Sequence, residues 1–213
     1  MIRVYGVTGV ATGRIGGRGM SGEPLSGVAA GGVRAIVGTA ARTSRASVES
    51  LQRYDRVVRA LWSARPALLP ARFGTEFDTV EDLKRALLSR SMTADLRRVR
   101  GRAQMIVRVL GVTAGSLRDP ASPPRRSTGT AYLHDRAADA ARARHIPGFD
   151  DVRGRVARFV RDERVEPWKR GTTVYHLIPR GSATAYRRTV ERAAAAAGLR
   201  VVVTGPHPPY AFA

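Results

Sequence analysis

Three consecutive valines near the C-terminus run directly into a proline-rich segment, and this junction limits how the chain can end. Residues 201–203 have the composition of a short buried strand, and prolines follow at positions 206, 208 and 209. Because proline has no amide hydrogen to donate to a β-ladder, we expect the chain to leave its sheet at Gly205. The pattern predicts a last strand followed by an extended tail.

The residues after the prolines are apolar, whereas most chain ends are polar and frayed. Proline restricts the free tail and so lowers the entropy that is lost when the tail docks. We therefore expect contacts from five tail residues: Pro206, Pro208, Pro209, Tyr210 and Phe212. They would pack either on the N-terminal domain near Arg72 and Phe73, as a domain clasp, or on a partner. An exposed apolar tail promotes aggregation, which favours the clasp.

The composition excludes several classes of protein. The chain has 213 residues and no cysteine, which excludes disulfides, thiolate metal sites and cysteine nucleophiles. Its apolar runs are far shorter than the roughly 20 residues that cross a bilayer. The first residues begin a strand pattern without a signal-peptide core. We expect a cytoplasmic protein with one large domain or two smaller ones and no membrane contact.

The formal net charge of +20 comes almost entirely from arginine, since Lys84 and Lys169 are the only lysines. A domain that reads nucleic-acid sequence concentrates its basic residues on one element, with aromatic or base-reading side chains among them. Here the arginines are spread along the whole chain. The arginine-rich composition thus argues against specific nucleic-acid recognition. It leaves an alternative function as a basic accessory protein that binds polyanions, including nucleic acid, through charge alone.

Hydrophobic periodicity places strands and helices in the first hundred residues. The glycine pair Gly31-Gly32 predicts a hairpin, and Thr79 is placed to cap a helix. The G-x-G-x-x-G pattern at 17–22 lacks the helix that a dinucleotide site needs, so we interpret it as a connector. The predicted strands lie at 2–7, 28–30, 33–37 and 68–73, and the predicted helices at 47–63, after Thr79, and at 93–99.

The second half of the chain shows the element order β, α, β, β, α, β. The strands are predicted at 102–110, 165–168, 173–178 and 199–204, and the helices at 131–143 with 152–160, and at 182–197. This is the order of a ferredoxin-like sheet, in which we expect the last strand beside one of the hairpin strands. The sequence predicts an α+β protein with two domains. Residues 1–100 form an N-terminal α+β domain, and residues 101–213 form a C-terminal ferredoxin-like (βαββαβ) domain that carries the apolar tail.

Four separated segments resemble the gas vesicle protein F and L family. They are LLPARFGTEF at 68–77, GRAQM at 101–105, AYL at 131–133 and TGPHPPYAF at 204–212. Two positions depart from the family pattern: Gln104 replaces an acidic residue, and His207 replaces a tryptophan. The first segment adds Arg72, Phe73 and Gly74 to the candidate partner or domain-interface contacts. Arg72 either contacts a partner or pairs with Glu76 or Asp78.

The resemblance implies a function and a set of partners. It implies two α+β domains, the second ferredoxin-like, in a non-enzymatic accessory or minor structural protein of gas vesicle assembly. Such a protein would bind the hydrophobic shell subunit and prevent its aggregation during nucleation. The implied partners are the gas vesicle shell protein and other gas vesicle accessory proteins, and the implied location is the gas vesicle in the cytoplasm.

The histidines give no support for catalysis or metal binding. His134, His145, His176 and His207 show no zinc-binding spacing, and the chain has neither a nucleophile elbow nor a P-loop. His176 lies in a predicted strand, where a cross-strand hydrogen bond is the ordinary arrangement. We therefore expect no catalytic residue, no metal and no cofactor.

Overall fold

The computed structural model describes residues 1–10, 15–40, 45–111, 145–168 and 171–213, and in this part of the chain the strands form two sheets. The strands are β1 (Ile2–Gly9), β2 (Leu25–Ala30), β3 (Val33–Thr39), β4 (Leu69–Pro70), β5 (Glu76–Phe77), β6 (Arg102–Leu110), β7 (Asp162–Trp168), β8 (Gly171–Pro179) and β9 (Val201–His207). The helices are α1 (Val48–Ser63), α2 (Val80–Leu88), α3 (Thr93–Val99), α4 (Asp150–Val156) and α5 (Ala183–Ala196). The predicted helix at 131–143 lies outside the described residues.

The first sheet has the order β2-β3-β1-β4, and β5 also pairs with β1. Gly31 and Gly32 both have positive φ, at 58° and 75°, and join β2 to β3 in an antiparallel hairpin. This confirms the predicted hairpin, since a two-residue type I′ turn needs positive φ at both of its central positions. The strand predicted at 68–73 is shorter than expected. Its ladder ends at Pro70 because the chain then turns.

Two of the N-terminal helices begin at the residues that the sequence indicates. Ser47 caps α1 in a reciprocal capping box with Ser50, and Thr79 accepts a hydrogen bond from the Asp82 amide at the start of α2. The buried face of α1, at Tyr54, Val58 and Leu61, packs in a cluster with residues of the first sheet and Leu68. Helical periodicity thus determined which face of α1 is buried.

The second sheet has the order β7-β8-β6-β9. The expected position of the last strand was wrong, because β9 pairs with β6 and not with either hairpin strand. Both edges of β8 are taken, by β7 and β6, and β7 is polar and largely exposed, so the free edge of β6 offers the better burial. Strand β9 also continues through Pro206 to His207 instead of ending at Gly205. An edge strand tolerates proline because only one side of it is paired.

Helices α4 and α5 bury their apolar faces in the core of the second sheet. The cluster includes Met105, Val107, Phe149, Val152, Val174, Tyr186 and Val190. Gly198, with a φ of 67°, terminates α5 in the left-handed conformation that favours glycine. The molecule combines helices with antiparallel sheets, in agreement with the predicted α+β class.

The chain divides into two compact units by its internal contacts. The first unit contains Met1–Gln104 together with Pro206–Ala213, and the second contains Met105–Gly205. The sequence analysis assigned the tail to the C-terminal domain, 101–213. In the structure the tail instead groups with the first unit, so the candidate site residues on the tail and those near Arg72 belong to one unit.

Candidate partner-binding site in the first unit

A tight turn presents Arg72 at the surface. The Thr75 amide donates a hydrogen bond to the Arg72 carbonyl at 3.1 Å, and Gly74 has a φ of 83°. This is the third position of a type II turn, which favours glycine because positive φ is unstrained there. A Cβ at Gly74 would meet no atom within 4 Å, so the requirement for glycine is conformational and not steric. Both Arg72 and Gly74 are exposed.

Tyr54 of α1 packs against this turn on its buried side. Its ring lies edge-on to Phe73, with centroids 5.5 Å apart, and stacks on Tyr5 at 5.2 Å. Its hydroxyl lies 2.9 Å from the carbonyl oxygens of both Val4 and Ala71 and can donate to one of them at a time. Burial raises the pKa of Tyr54 far above its ordinary value, so the phenol stays a neutral donor. Phe73 is therefore held in place by a buried aromatic stack.

The carboxylate expected beside Arg72 is engaged elsewhere. The Oε1 atom of Glu76 accepts from Nε of the buried Arg3 at 3.0 Å. Glu23 lies 3.7 Å from the same guanidinium and accepts from the Tyr5 hydroxyl at 2.5 Å. Among the described residues no ion pair involves Arg72, and its exposed guanidinium remains available to a partner.

The tail does not stay extended. Residues Tyr210–Phe212 form a 3-10 turn, in which the Tyr210 amide donates to the Pro208 carbonyl at 2.8 Å. The expectation of an extended tail was therefore wrong for these residues. Phe212 is completely buried and Pro208 and Pro209 are buried as well, whereas Pro206 is exposed. Tyr210 is partly buried against the cluster that also holds Phe73.

Two polar side chains fix the tail backbone in the first unit. Gln104 Oε1 accepts from the Ala211 amide at 2.7 Å, and Arg98 Nη2 donates to the Phe212 carbonyl at 2.8 Å. Gln104 is buried and the tail amide would otherwise lack an acceptor there. The sequence analysis did not identify either residue as a tail contact. The one available signal was Gln104 itself, whose amide oxygen can accept a hydrogen bond as the family's carboxylate would.

A third polar side chain, that of Arg59, contacts the start of the tail. Arg59 Nη2 lies 2.7 Å from Nδ1 of His207, and Nη1 lies 3.4 Å from the Pro206 carbonyl. Since a guanidinium only donates hydrogen bonds, His207 Nδ1 must be the acceptor and carry no proton. Asp55 orients Arg59 by pairing with its Nε atom at 2.5 Å. His207 thus makes a polar contact at the position where the family pattern has tryptophan.

An apolar pocket of about 180 Å³ lies in the same unit. Its lining combines residues of the first sheet with α2: Val4, Leu69, Phe77, Leu83, Ala86, Leu87, Met92 and others. Among the described lining residues, Arg90 is the one with a charged side chain, and it pairs with Asp95 at 2.6 Å. The sequence analysis gave no indication of a pocket.

His176 forms a buried polar network in the second unit, as the sequence predicts for a cross-strand histidine. Its Nε2 lies 2.7 Å from Glu163 on the neighbouring strand, and its Nδ1 lies 2.5 Å from the Tyr186 hydroxyl. Both ring nitrogens are used within the protein. In the described ranges no cluster of acidic or histidine side chains is suited to a metal ion. None of the helices described there has the length and hydrophobicity of a membrane span.

Comparison with models of known protein families identifies the family of this chain. Residues 2–213 match the family model described as gas vesicle synthesis protein GvpL/GvpF. The chain belongs to this family. The match covers nearly the whole chain, and so confirms the resemblance drawn from four short segments and places the protein in gas vesicle synthesis.

Solved structures of family proteins have the same fold. The crystal structure of gas vesicle protein GvpF from Microcystis aeruginosa superimposes on this chain with a TM-score of 0.69 and covers 99% of this chain and 98% of that chain. The two sequences are 18% identical. The crystal structure of GvpF from Anabaena sp. PCC7120 is 16% identical, with 99% and 94% covered and a TM-score of 0.69. At such low identity the likeness concerns the fold alone. The comparison with curated proteins gives no match.

Proposed function

We propose that this GvpL/GvpF-family protein is a non-enzymatic assembly factor that binds the hydrophobic shell subunit of gas vesicles. It acts in the cytoplasm at the growing vesicle, beside other gas vesicle accessory proteins, and limits aggregation of the shell subunit during nucleation. The observation that carries this proposal is the family match across residues 2–213. A charged, folded protein that offers a small apolar site suits the task of holding a hydrophobic subunit in water.

The tail acts as an internal clasp of the first unit in this proposal. Phe212, Pro208 and Pro209 are buried there, and Gln104 and Arg98 hold the tail backbone. Side chains that are already buried cannot also cover a partner without first leaving the core. The clasp therefore agrees better with the geometry than a direct tail contact with the shell subunit.

The apolar pocket is the surface that we assign to the shell subunit. It is lined almost entirely by aliphatic and aromatic side chains, and it is large enough for one or two apolar side chains of a partner. The exposed turn at Arg72 and Gly74 belongs to the same unit and would supply polar contacts at the rim. Burying an apolar side chain in such a pocket contributes about 1.5–3 kcal/mol to binding.

Filling the pocket tests this assignment. Ala86→Phe places an aromatic side chain in the pocket wall, and Ala60→Phe makes the same change at an exposed site on α1. Co-expression with the shell subunit and co-purification should show at least about a tenfold loss of complex for Ala86→Phe and little change for Ala60→Phe. Light scattering should show earlier aggregation of the shell subunit with Ala86→Phe. Equal binding by both variants would exclude the pocket.

Two further parts of the proposal concern the second unit and the net charge. We infer that the second unit is a ferredoxin-like domain, supported by its sheet order β7-β8-β6-β9.

The alternative function, polyanion binding, is supported by the net charge of +20. A binding titration against NaCl separates the two functions. Counterion release predicts a steep loss of duplex affinity with salt, whereas apolar contact with the shell subunit predicts little loss.

A further inference from the structure

A groove in the second unit is lined by three arginines, two of them on helices and one in the turn that follows α4. It runs between α4 and α5, and the residues that line it are Arg155, Arg158, Thr189, Arg192, Ala193 and Ala196. All three arginines are exposed. This groove is distinct from the apolar pocket, which lies in the first unit.

The three groove arginines differ from Arg153 of α4 in their ion pairs. Among the described residues none of them forms an ion pair, whereas Arg153 on α4 pairs with both Asp150 and Glu163. The guanidinium of Arg158 instead lies 4.7 Å from the centroid of the Phe159 ring. Three positive charges that share one groove repel one another, and a bound anion would relieve that repulsion.

The floor of the groove determines what kind of anion fits. Ala193 is buried in the core of this unit, whereas Ala196, one turn later on α5, presents an exposed methyl group that a partner can approach closely. The Thr189 hydroxyl already donates to the Ala185 carbonyl. Binding of single-stranded nucleic acid relies on aromatic faces on which bases stack. Among the described residues that line this groove there is no aromatic ring, and the guanidinium of Arg158 covers a face of the nearby Phe159.

We propose that the groove binds an acidic, amphipathic segment of a partner protein. Carboxylates of the segment pair with Arg155, Arg158 and Arg192, and a small apolar side chain of the segment rests on Ala196. A guanidinium recognises a carboxylate through paired hydrogen bonds, which gives this contact a geometric preference beyond net charge. The proposal goes beyond binding of the shell subunit and stands independently of it.

A peptide titration tests the groove. The probe is a fluorescently labelled helical peptide with glutamates on one face and alanines and leucines on the other, measured by anisotropy in about 150 mM NaCl. The groove variant is Arg155→Glu with Arg158→Glu and Arg192→Glu. The matched control is Arg56→Glu with Arg97→Glu and Arg100→Glu, three exposed arginines of the first unit that give the same change in net charge. We expect the groove variant to bind at least about tenfold more weakly and the control to lose less than about threefold.

A second variant keeps the test valid if the triple charge reversal unfolds the protein. Ala196→Leu fills the floor of the groove, keeps the net charge and preserves helix propensity. It should weaken the acidic peptide at least about threefold and should leave the circular dichroism spectrum unchanged. A peptide with glutamine in place of glutamate should bind at least about tenfold more weakly than the acidic one.

Three results would overturn the proposal. Equal losses in the groove and control triple variants would mean that only net charge matters. Unchanged peptide affinity in Ala196→Leu would mean that the apolar floor is not contacted. A single-stranded oligonucleotide that binds more tightly than the peptide, with the same dependence on Arg155, Arg158 and Arg192, would make the groove a nucleic-acid surface.

Discussion

Several single residues connect parts of the chain that are far apart in sequence. Tyr54 links α1 to the turn at Arg72, and Gln104 links the start of β6 to the tail. Each of these residues is largely buried, and a polar atom of its side chain forms a hydrogen bond with a backbone group. Loss of the side chain would therefore leave a buried backbone donor or acceptor without a partner. Replacing such residues should therefore lower the free energy of unfolding more than replacing the exposed arginines.

Gly74→Ala should shift the midpoint of urea unfolding to lower concentration, with a loss of about 1 kcal/mol. Alanine at a φ of 83° is strained, although space for its Cβ is available. Gly154→Ala is the matched control. Gly154 lies in α4 with a normal helical φ and no neighbour near a Cβ, so the same change should raise stability by up to about 1 kcal/mol. Two changes of the same sign would contradict this account of Gly74.

Glu163 should make the stability of the protein depend on pH in the acidic range. Burial acts to raise the pKa of Glu163, but hydrogen bonds and charge attraction from His176 and Arg153 outweigh it and lower the pKa below 4.5. A carboxyl with a lowered folded-state pKa stabilises the fold above its unfolded-state pKa, and this contribution is lost as pH falls through the folded-state value.

The measurement compares unfolding of the unmodified protein with that of Glu163→Gln between about pH 7 and pH 3. The variant should be less stable at pH 7, and the difference should shrink as the pH falls below about 4.5. Glu166→Gln is the control, since Glu166 lies exposed beside the Tyr175 hydroxyl. A difference for Glu163→Gln that stays constant over this range would argue against the ionised network.

At the scale of elements, the tail is the part whose structure differs most from its sequence pattern. Strand β9 continues through one proline, and the following residues fold into a short 3-10 turn. Its buried contacts all lie in the first unit: Phe212 in the core, the Ala211 amide on Gln104 and the Phe212 carbonyl on Arg98. The tail therefore behaves as an additional element of that unit.

Removing residues 206–213 should lower the melting temperature of the protein. The truncation exposes the site that Phe212 fills and leaves Gln104 without its partner, and burial of a phenylalanine alone contributes about 1.5–3 kcal/mol. Differential scanning calorimetry measures the effect, and Phe212→Ala should reproduce most of it. If the truncated protein keeps its melting temperature but loses the shell subunit, the tail is a partner contact and not a clasp.

At the scale of the whole molecule, the net charge of +20 opposes compactness. Like charges spread over the chain repel one another, and salt screens this repulsion at distances beyond roughly 10 Å. The buried pair of Arg3 and Glu76 is shielded from salt and should change little.

Raising NaCl from about 20 mM to 300 mM should therefore raise the melting temperature by a few degrees. The triple variant Arg56→Glu, Arg97→Glu, Arg100→Glu should show a smaller rise, because it starts with less repulsion. A melting temperature that falls with salt in the unmodified protein would mean that surface ion pairs, such as Arg53 with Glu49, outweigh the net repulsion.

The sequence by itself determined the local features of this protein. Glycine pairs, capping residues and helical periodicity act within a few residues, and so the hairpin at Gly31-Gly32, the cap at Thr79 and the start of α1 near Ser47 could all be predicted. The family could be predicted as well, because short segments such as RFGT resemble the family pattern, and the match over residues 2–213 confirms it.

Only the tertiary structure decided how distant segments meet. Strand β9 lies beside β6 because that edge offered the better burial, and the tail belongs to the first unit because Gln104 and Arg98 hold its backbone there. The same holds for the pairing of Glu76 with Arg3 and for the two sites that we propose, the apolar pocket and the arginine groove. Contacts between segments a hundred residues apart depend on competition among all available surfaces, which no local pattern records.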